Sequence, residues 1–207
     1  MRSKILSLIN PLRNEGLAVI LAASLALNVL LAWQLKRSRP AVLQMHGLAV
    51  GEAVPEFRAR EVIPGASDVI EQIRYSDAPK GTLIYYFSPN CRWCQKNAAN
   101  FAALAARVGR EYRVVSYTPD VDGLPKYLLA AHHEAPVFTD DGADIRKTLK
   151  LTGTPETLLV SKSGRVVRNW EGAYIPGTQQ EIESYFGVRL PGLASWQSTT
   201  DFERAGF

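Results

Sequence analysis

Apolar and polar positions in the middle of the chain predict a buried strand that leads directly into an amphipathic helix. Residues 82–87 are β-branched and aromatic, which is typical of a buried strand. A break follows over residues 88–90, and we expect a helix to begin at Cys91 and to end near Gly109. Apolar residues recur along one face of this helix: Ala98, Phe101, Ala102, Ala105 and Val108.

Strands and helices alternate along the rest of the domain. The pattern predicts strands at 112–117 and 136–138, a hairpin from 157–161 and 166–170, helices at 124–131, 143–150 and 178–186, and weaker strands at 61–63 and 69–75. Strands separated by helices of this length imply parallel pairs, whereas the hairpin adds an antiparallel pair. The predicted class is therefore α/β, with a central mixed sheet and helices on both faces.

A continuous apolar run precedes the domain. Residues 16–35 include 20 positions without a charge, and a helix of that length reaches about 30 Å, the thickness of the hydrocarbon layer. Trp33 lies near one end of the run, with basic residues just beyond it. We expect an uncleaved transmembrane helix. A signal peptide is the alternative, but the run is longer than a typical signal core and does not end in small residues.

The expected organisation has five parts: a cytoplasmic N-terminus at 1–15, the anchor at 16–35, a tether at 36–49, one domain at 50–187 and a loosely attached tail at 188–207. Basic residues flank the anchor equally, so the charges alone do not fix its orientation. The net charge of the chain is +4, but residues 1–46 carry +5, which leaves −1 for the rest. The domain therefore lacks the basic excess expected of a nucleic-acid-binding protein.

The chain has two cysteines, Cys91 and Cys94, both at the start of the central helix. Residues three apart share one helix face, and the first helical turn stabilises a thiolate. We therefore predict that Cys91 is the attacking thiol, with positive charge from Arg92 beside it, and that Cys94 is the resolving thiol.

Two other interpretations of the cysteine pair are weaker. A structural disulfide across so short a loop removes little entropy from the unfolded chain. A metal site needs further ligands, and the adjacent His132 and His133 point in different directions on any regular element. Thr154 and Pro155 stand at the start of the hairpin, where the local sequence leaves a cis and a trans proline equally open.

The order of strand, CxxC at a helix start, two further strand–helix steps, Thr-Pro, hairpin and final helix resembles the thioredoxin fold. The chain is most similar to membrane-anchored bacterial thiol:disulfide oxidoreductases of the TlpA, ResA and cytochrome c maturation type. The matching residues are Phe87, Cys91, Trp93, Cys94, Pro136, Asp140, Gly153, Pro155, Thr157, Gly164 and Gly172.

This resemblance implies a cis Pro155 that faces the cysteines and a substrate-binding surface that includes Arg92, Trp93 and Thr154, with the Thr154 backbone pairing with an extended substrate. It implies no cofactor other than the redox-active Cys91/Cys94 disulfide. The expected partners are a protein disulfide substrate, a membrane electron donor and the lipid bilayer through residues 16–35. The expected location is the bacterial inner membrane, with the catalytic domain facing the periplasm or the cell exterior.

The chain departs from the family in the groups expected near Cys94. Thioredoxins carry an acid in the strand before the CxxC, where this chain has Tyr85, and several relatives carry an acid after the second cysteine, where it has Asn97. Glu156 is therefore the candidate proton acceptor. Pro89 replaces the aromatic residue that usually precedes the first cysteine, and Trp93 is the candidate replacement for its apolar contact.

Two other functions are compatible with the same fold. A thiol peroxidase would have a proline where this chain has Ile84. A copper-binding assembly factor would space its cysteines by three residues instead of two. The leading hypothesis is a thiol:disulfide oxidoreductase that reduces extracytoplasmic protein partners, with cytochrome c maturation as one setting.

Overall fold

The computed structural model describes residues 16, 19–34, 47–62 and 69–193. The chain divides into an N-terminal unit, Met1–Gln44, and a main unit, Met45–Phe207. In the N-terminal unit, residues 19–34 are helical and their side chains are exposed. No helix within the described ranges combines the length and the apolar character needed to cross a bilayer. The predicted cytoplasmic segment 1–15 and most of the tether lie outside the described residues.

The main unit is built on one seven-stranded mixed sheet. The strands are β1 Phe57–Glu61, β2 Val69–Ile73, β3 Gly81–Tyr86, β4 Arg113–Tyr117, β5 Val137–Thr139, β6 Glu156–Ser161 and β7 Val166–Glu171. Their order across the sheet is β2-β1-β5-β4-β3-β6-β7. The three central strands β5, β4 and β3 are parallel, and the remaining pairs are antiparallel. The predicted mixed sheet is confirmed.

Four α-helices pack on the two faces of this sheet. They are α1 Arg92–Val108, α2 Leu124–Ala130, α3 Ile145–Thr148 and α4 Pro176–Phe186. Helices α1, α2 and α4 share an apolar core with Leu83 and Tyr85 of β3 and with Phe87, which directly follows the strand. Helix α3 packs on the opposite face, in a second core that includes Ile84 and Tyr86. Successive residues of a strand point to opposite faces, so β3 contributes to both cores.

Two predicted elements differ from the structure. The first strand occupies Phe57–Glu61 instead of 61–63, with Phe57 and Ala59 buried and Arg58 exposed. Alanine at one of the inward positions makes the apolar alternation of this strand weak. Backbone pairing with β2 nevertheless stabilises the strand. Helix α3 is shorter than the predicted 143–150 because the Asp144 side chain caps its first turn and Lys150 adopts a left-handed backbone, with φ of 47°.

The buried face of α1 is rotated slightly from the predicted stripe. Ala98, Phe101 and Val108 are buried as expected, whereas Ala102 and Ala105 are only partly covered. Leu104 is fully buried instead. Leu104 belongs to the apolar core that α1 shares with β3, α2 and α4, and it lies three residues after Phe101 and four before Val108 on the same helix face.

The first residues after α4 are fixed to the domain, although the sequence suggested a loosely attached tail from residue 188. Leu190 is 5% exposed, and its N–H donates to the Glu183 carboxylate at 2.8 Å. Gly192 N–H donates to the side chain of Asn100 on α1 at 2.8 Å. Trp196, the suggested docking residue, lies outside the described residues.

Replacing Leu104 by alanine should lower the free energy of unfolding by about 2–5 kcal/mol, because it leaves a cavity in the core between α1 and the sheet. Leu129 on α2 is 79% exposed and gives the matched control, for which we expect a change within about 0.5 kcal/mol. Urea denaturation followed by circular dichroism measures both changes. Equal effects of the two substitutions would contradict the packing described for α1.

Candidate active site

Cys91 lies at the point where β3 has ended and α1 begins. It is the N-cap residue of α1, and its Sγ accepts a hydrogen bond from the N–H of Cys94 at 3.4 Å. The N–H of Cys91 donates to the carbonyl of Ser88 at 3.1 Å, which fixes the turn that leads into the helix. A sulfur thus occupies the capping position where serine, threonine or aspartate is usual, and it faces unpaired N–H groups of the first turn.

This environment favours the thiolate of Cys91. Its pKa is lowered to about 5, chiefly by the hydrogen bond with the Cys94 thiol, with further contributions from Thr154 and the N–H groups of Cys94 and Trp93. Burial opposes the shift, but Cys91 is only partly buried. At neutral pH the sulfur is therefore an accessible nucleophile.

Cys94 has the opposite character. It is fully buried beneath the first turn of α1, and burial, followed by the hydrogen bond with Cys91, raises its pKa well above the ordinary range. Both cysteines are free, so the structure represents the reduced form. One sulfur is poised to attack and its neighbour is held as a neutral thiol, which is the asymmetry expected of a redox dithiol.

Thr154 and Pro155 come next to the cysteines through the pairing of β6 with β3. The register sets Glu156 opposite Tyr86, so the residues just before β6 lie beside the end of β3. The Thr154–Pro155 peptide bond is cis. In its thiol form Cys91 donates to the carbonyl oxygen of Thr154 at 3.4 Å. The structure therefore brings together Cys91, Cys94, Thr154 and Pro155.

Glu156 does not join this group, and its predicted role as proton acceptor for Cys94 is corrected. It lies on the face of the sheet that carries Leu158 and Tyr86, opposite the face that contacts Cys94. Its carboxylate accepts from the N–H of Thr152 at 2.8 Å, and burial raises its pKa. Alternation along β6 decides this placement: Thr157, and not Glu156, shares the face of the cysteines.

Arg92 and Trp93 lie on the outer side of the CxxC turn. Both are exposed, Trp93 by 51%, and the Lys96 ammonium lies 5.6 Å from the centre of the indole ring. The buried Lys96 therefore supports the indole ring, about half of which remains open to solvent two residues after Cys91.

Asp120 is a structural residue of the site that the sequence did not single out. Its carboxylate accepts from the side chain of Asn90 at 2.9 Å and from Ser88 at 3.3 Å. It thereby ties the loop after β4 to the turn that carries Cys91. An acid directly after a predicted strand was the only available signal, and the partner loop could not be identified without the fold.

The two histidines diverge as the sequence predicted. His132 is exposed, whereas the Nε2 atom of His133 lies 2.8 Å from the Ser116 hydroxyl, and burial lowers the pKa of His133 to about 4. His46 lies outside the described residues. Among the residues that are described, no three His, Cys, Asp or Glu side chains form a group that could hold a metal ion.

Comparison with known proteins places the architecture in one fold group. The sequence matches no protein-family model and no curated protein. In contrast, the thioredoxin domain of a thiol-disulfide oxidoreductase from Bacteroides vulgatus superposes with a TM-score of 0.52 at 17% identity, over 68% of this chain and 99% of that one. A thiol:disulfide interchange protein from Bacteroides sp. gives 0.52 at 14% identity, over 68% and 91%.

The peroxidoxin BcpB from Mycobacterium tuberculosis is similar to nearly the same extent, with a TM-score of 0.51 at 12% identity over 68% of this chain and 97% of that chain. The fold is therefore thioredoxin-like, as predicted. Since interchange proteins and a peroxidoxin superpose equally well, the shape alone does not distinguish between their activities, and the chemistry has to be argued from the site.

The reaction of Cys91 with iodoacetamide should follow a titration near pH 5 in the native reduced protein, because the thiolate is the reacting species. The rate should be flat at neutral pH and fall as the pH drops through about 5. Cys94 should stay unmodified while the protein is folded. Peptide mass spectrometry measures both sites. In urea, the control, both thiols should titrate near the ordinary value of about 8.5. A native Cys91 titration near that value would contradict the assignment.

Proposed function

We propose that this protein is a thiol:disulfide oxidoreductase that reduces disulfides of protein partners. The observation that carries the proposal is the arrangement of Cys91: a partly exposed sulfur caps a helix, bonds to the N–H of Cys94 and lies 3.4 Å from the Thr154 carbonyl beside a cis proline. The thioredoxin-like shape supports it, since interchange proteins share that shape.

The reaction has two steps. The Cys91 thiolate attacks one sulfur of the partner disulfide, a mixed disulfide forms, and the other partner sulfur leaves as a thiolate that takes up a proton. Cys94 then attacks the Sγ of Cys91, the bond from Cys91 to the partner breaks, and the second partner sulfur leaves as a thiol. The partner gains two electrons and two protons, and the Cys91/Cys94 pair becomes a disulfide.

The surface around Cys91 suits an extended peptide. Thr154 stands at the start of β6, where its backbone groups can pair with a substrate strand next to the reacting sulfur. Trp93, which is 51% exposed, adds apolar surface. Arg92 contributes positive charge to the same surface. A folded partner would have to present its disulfide on a flexible or extended segment to reach Cys91.

Two alternatives use the same residues. A peroxidase function draws support from the similarity to a peroxidoxin, and consumption of hydrogen peroxide by the reduced protein would reveal it. A copper carrier that binds its metal through the two thiolates and a histidine would need an imidazole beside the sulfurs. His133 is partly buried and already bonds to Ser116, and the described residues hold no group of three His, Cys, Asp or Glu side chains, so titration with Cu(I) is expected to show no histidine-dependent binding.

We also propose that residues 16–35 anchor the protein in a bacterial inner membrane, with the catalytic domain in the periplasm or outside the cell and a membrane electron donor to reduce it. The uncharged run of 20 residues supports this location, as does the suitability of a redox dithiol for a compartment where disulfides form.

Replacing Cys94 by alanine should trap a mixed disulfide between Cys91 and the partner, because nothing remains to release it. Replacing Cys91 by alanine should abolish disulfide exchange, since the buried Cys94 cannot reach a partner. Insulin reduction measures exchange, and non-reducing electrophoresis of a reaction with an oxidised substrate peptide shows the trapped species. An active Cys91→Ala variant, together with a Cys94→Ala variant that traps nothing, would rule out the proposal.

The reduction potential of the Cys91/Cys94 pair tests the direction of electron flow. A reductase should lie near thioredoxin, at about −270 mV, whereas a value near about −120 mV would indicate an oxidant. Equilibration with glutathione buffers, followed by thiol quantification, gives this value. The low pKa of Cys91 stabilises the reduced pair, so we expect a potential somewhat above that of thioredoxin.

Arginine at both Leu25 and Leu30 should release the chain from membranes if residues 16–35 span the bilayer, because each charge strongly opposes insertion. Carbonate extraction of bacterial membranes separates the two cases. The unmodified chain should stay in the pellet and the double variant should not. Replacing Lys36 by arginine retains the positive charge and serves as the control. Recovery of the unmodified chain in the soluble fraction would contradict the anchor.

A further inference from the structure

Hydrogen bonds between uncharged groups hold the part of α1 that carries Cys94. The hydroxyl of Tyr127 donates to the carbonyl oxygen of Cys94 at 3.4 Å. On the same side of the sheet, the hydroxyl of Tyr85 accepts from the side-chain amide of Asn97 at 3.5 Å. Both tyrosines are fully buried.

A second group of hydrogen bonds runs from Asn97 to the segment that follows α4. The oxygen of the Asn97 amide accepts from the N–H of Tyr174 at 3.0 Å and from the Asn100 amide at 3.2 Å. These two donors fix which end of the Asn97 amide faces Tyr85. Asn100 in turn accepts from the N–H of Gly192 at 2.8 Å. The donors from Gly192 through Asn100 and Asn97 to Tyr85 therefore point the same way, and aligned hydrogen bonds of this kind strengthen one another.

No side chain that takes part in these hydrogen bonds is a base at neutral pH. Burial raises the pKa of Tyr85 and of Tyr127, so both hydroxyls stay protonated. The pKa of Cys94 is set by burial and by hydrogen bonds with Cys91, with the backbone of Ser88 and with the side chain of Thr154. None of these groups is a carboxylate. The Tyr127 hydroxyl can hold the backbone of Cys94 in place, but it cannot accept the Cys94 proton.

We propose that Tyr127 is a positioning residue for the resolving step, holding Cys94 so that its thiol attacks Cys91 and passes its proton directly to the departing partner sulfur. This inference rests on the proposed function. In that step the Cys94–Cys91 bond forms and the bond from Cys91 to the partner breaks. The partner sulfur keeps the electron pair and takes the Cys94 proton, so no buried carboxylate is required.

Dithiobis(nitrobenzoate) separates the two steps in the full-length reduced protein. Mixed with an equimolar amount, Cys91 releases one coloured nitrothiobenzoate when it attacks, and Cys94 releases the second when it resolves the mixed disulfide. Phenylalanine at Tyr127 removes only the hydroxyl that bonds to Cys94. Stopped-flow absorbance should show an unchanged first phase and a second phase slowed on the order of 10-fold, the effect of one lost buried hydrogen bond.

Tyr117→Phe is the matched control. It removes a buried hydroxyl on the other face of the sheet, bonded to Asp140 at 2.9 Å, and should leave both phases unchanged while lowering stability.

The outcomes separate the inference from the function on which it rests. A second phase at the normal rate in Tyr127→Phe, or equal slowing of both phases, overturns the positioning role while exchange by the unmodified protein stands. A slowed second phase in Tyr117→Phe also overturns it, since any buried hydroxyl would then have the same effect. Absence of a second phase in the unmodified protein instead contradicts the oxidoreductase itself.

Discussion

The hydrogen bond from the N–H of Cys94 to the sulfur of Cys91 is the interaction on which the site depends. It places a sulfur at the cap of α1, where the unpaired N–H groups and the partial positive charge of the helix start favour a thiolate. The same bond holds the two cysteines in one turn, so the reactive sulfur of Cys91 and the neutral thiol of Cys94 lie next to each other. The remaining features of the site determine what can approach this pair.

The sheet provides the second constraint, through the position of β3. This strand pairs with β4 on one side and with β6 on the other, and it leads into the turn that carries Cys91. Pairing with β6 places Thr154 and Pro155 beside Cys91, and the loop after β4 places Asp120 against the same turn. The alternation of side chains along β6 also separates the two faces, so that Glu156 and Thr157 are neighbours in sequence with unrelated surroundings. The pairing of β3 with its neighbours therefore positions the groups around Cys91 and keeps the Glu156 carboxylate on the other face of the sheet.

Most of the fold was predictable because the domain obeys local rules. Residues 82–87, the alternation of strands and helices, and the hairpin around Gly164 are patterns that burial and turn formation impose directly on the chain. The errors occurred where the local signal was weak. The strand at Phe57–Glu61 depends on pairing with β2, and the length of α3 depends on the Asp144 cap and the left-handed Lys150. Leu104 lies in a core that several elements share, so its burial depends on how those elements pack together.

The sequence by itself determined the chemistry of this protein: two cysteines three residues apart after a buried strand favour a nucleophilic thiol with a resolving partner, since a helix start stabilises a thiolate. Tertiary structure decided what surrounds that pair. Only strand register could place Thr154 beside Cys91 and Glu156 on the far face, and only the packing of α2 against α1 could bring the Tyr127 hydroxyl to the Cys94 carbonyl. Spacing fixes contacts within one element, whereas contacts between elements depend on how all of them pack together.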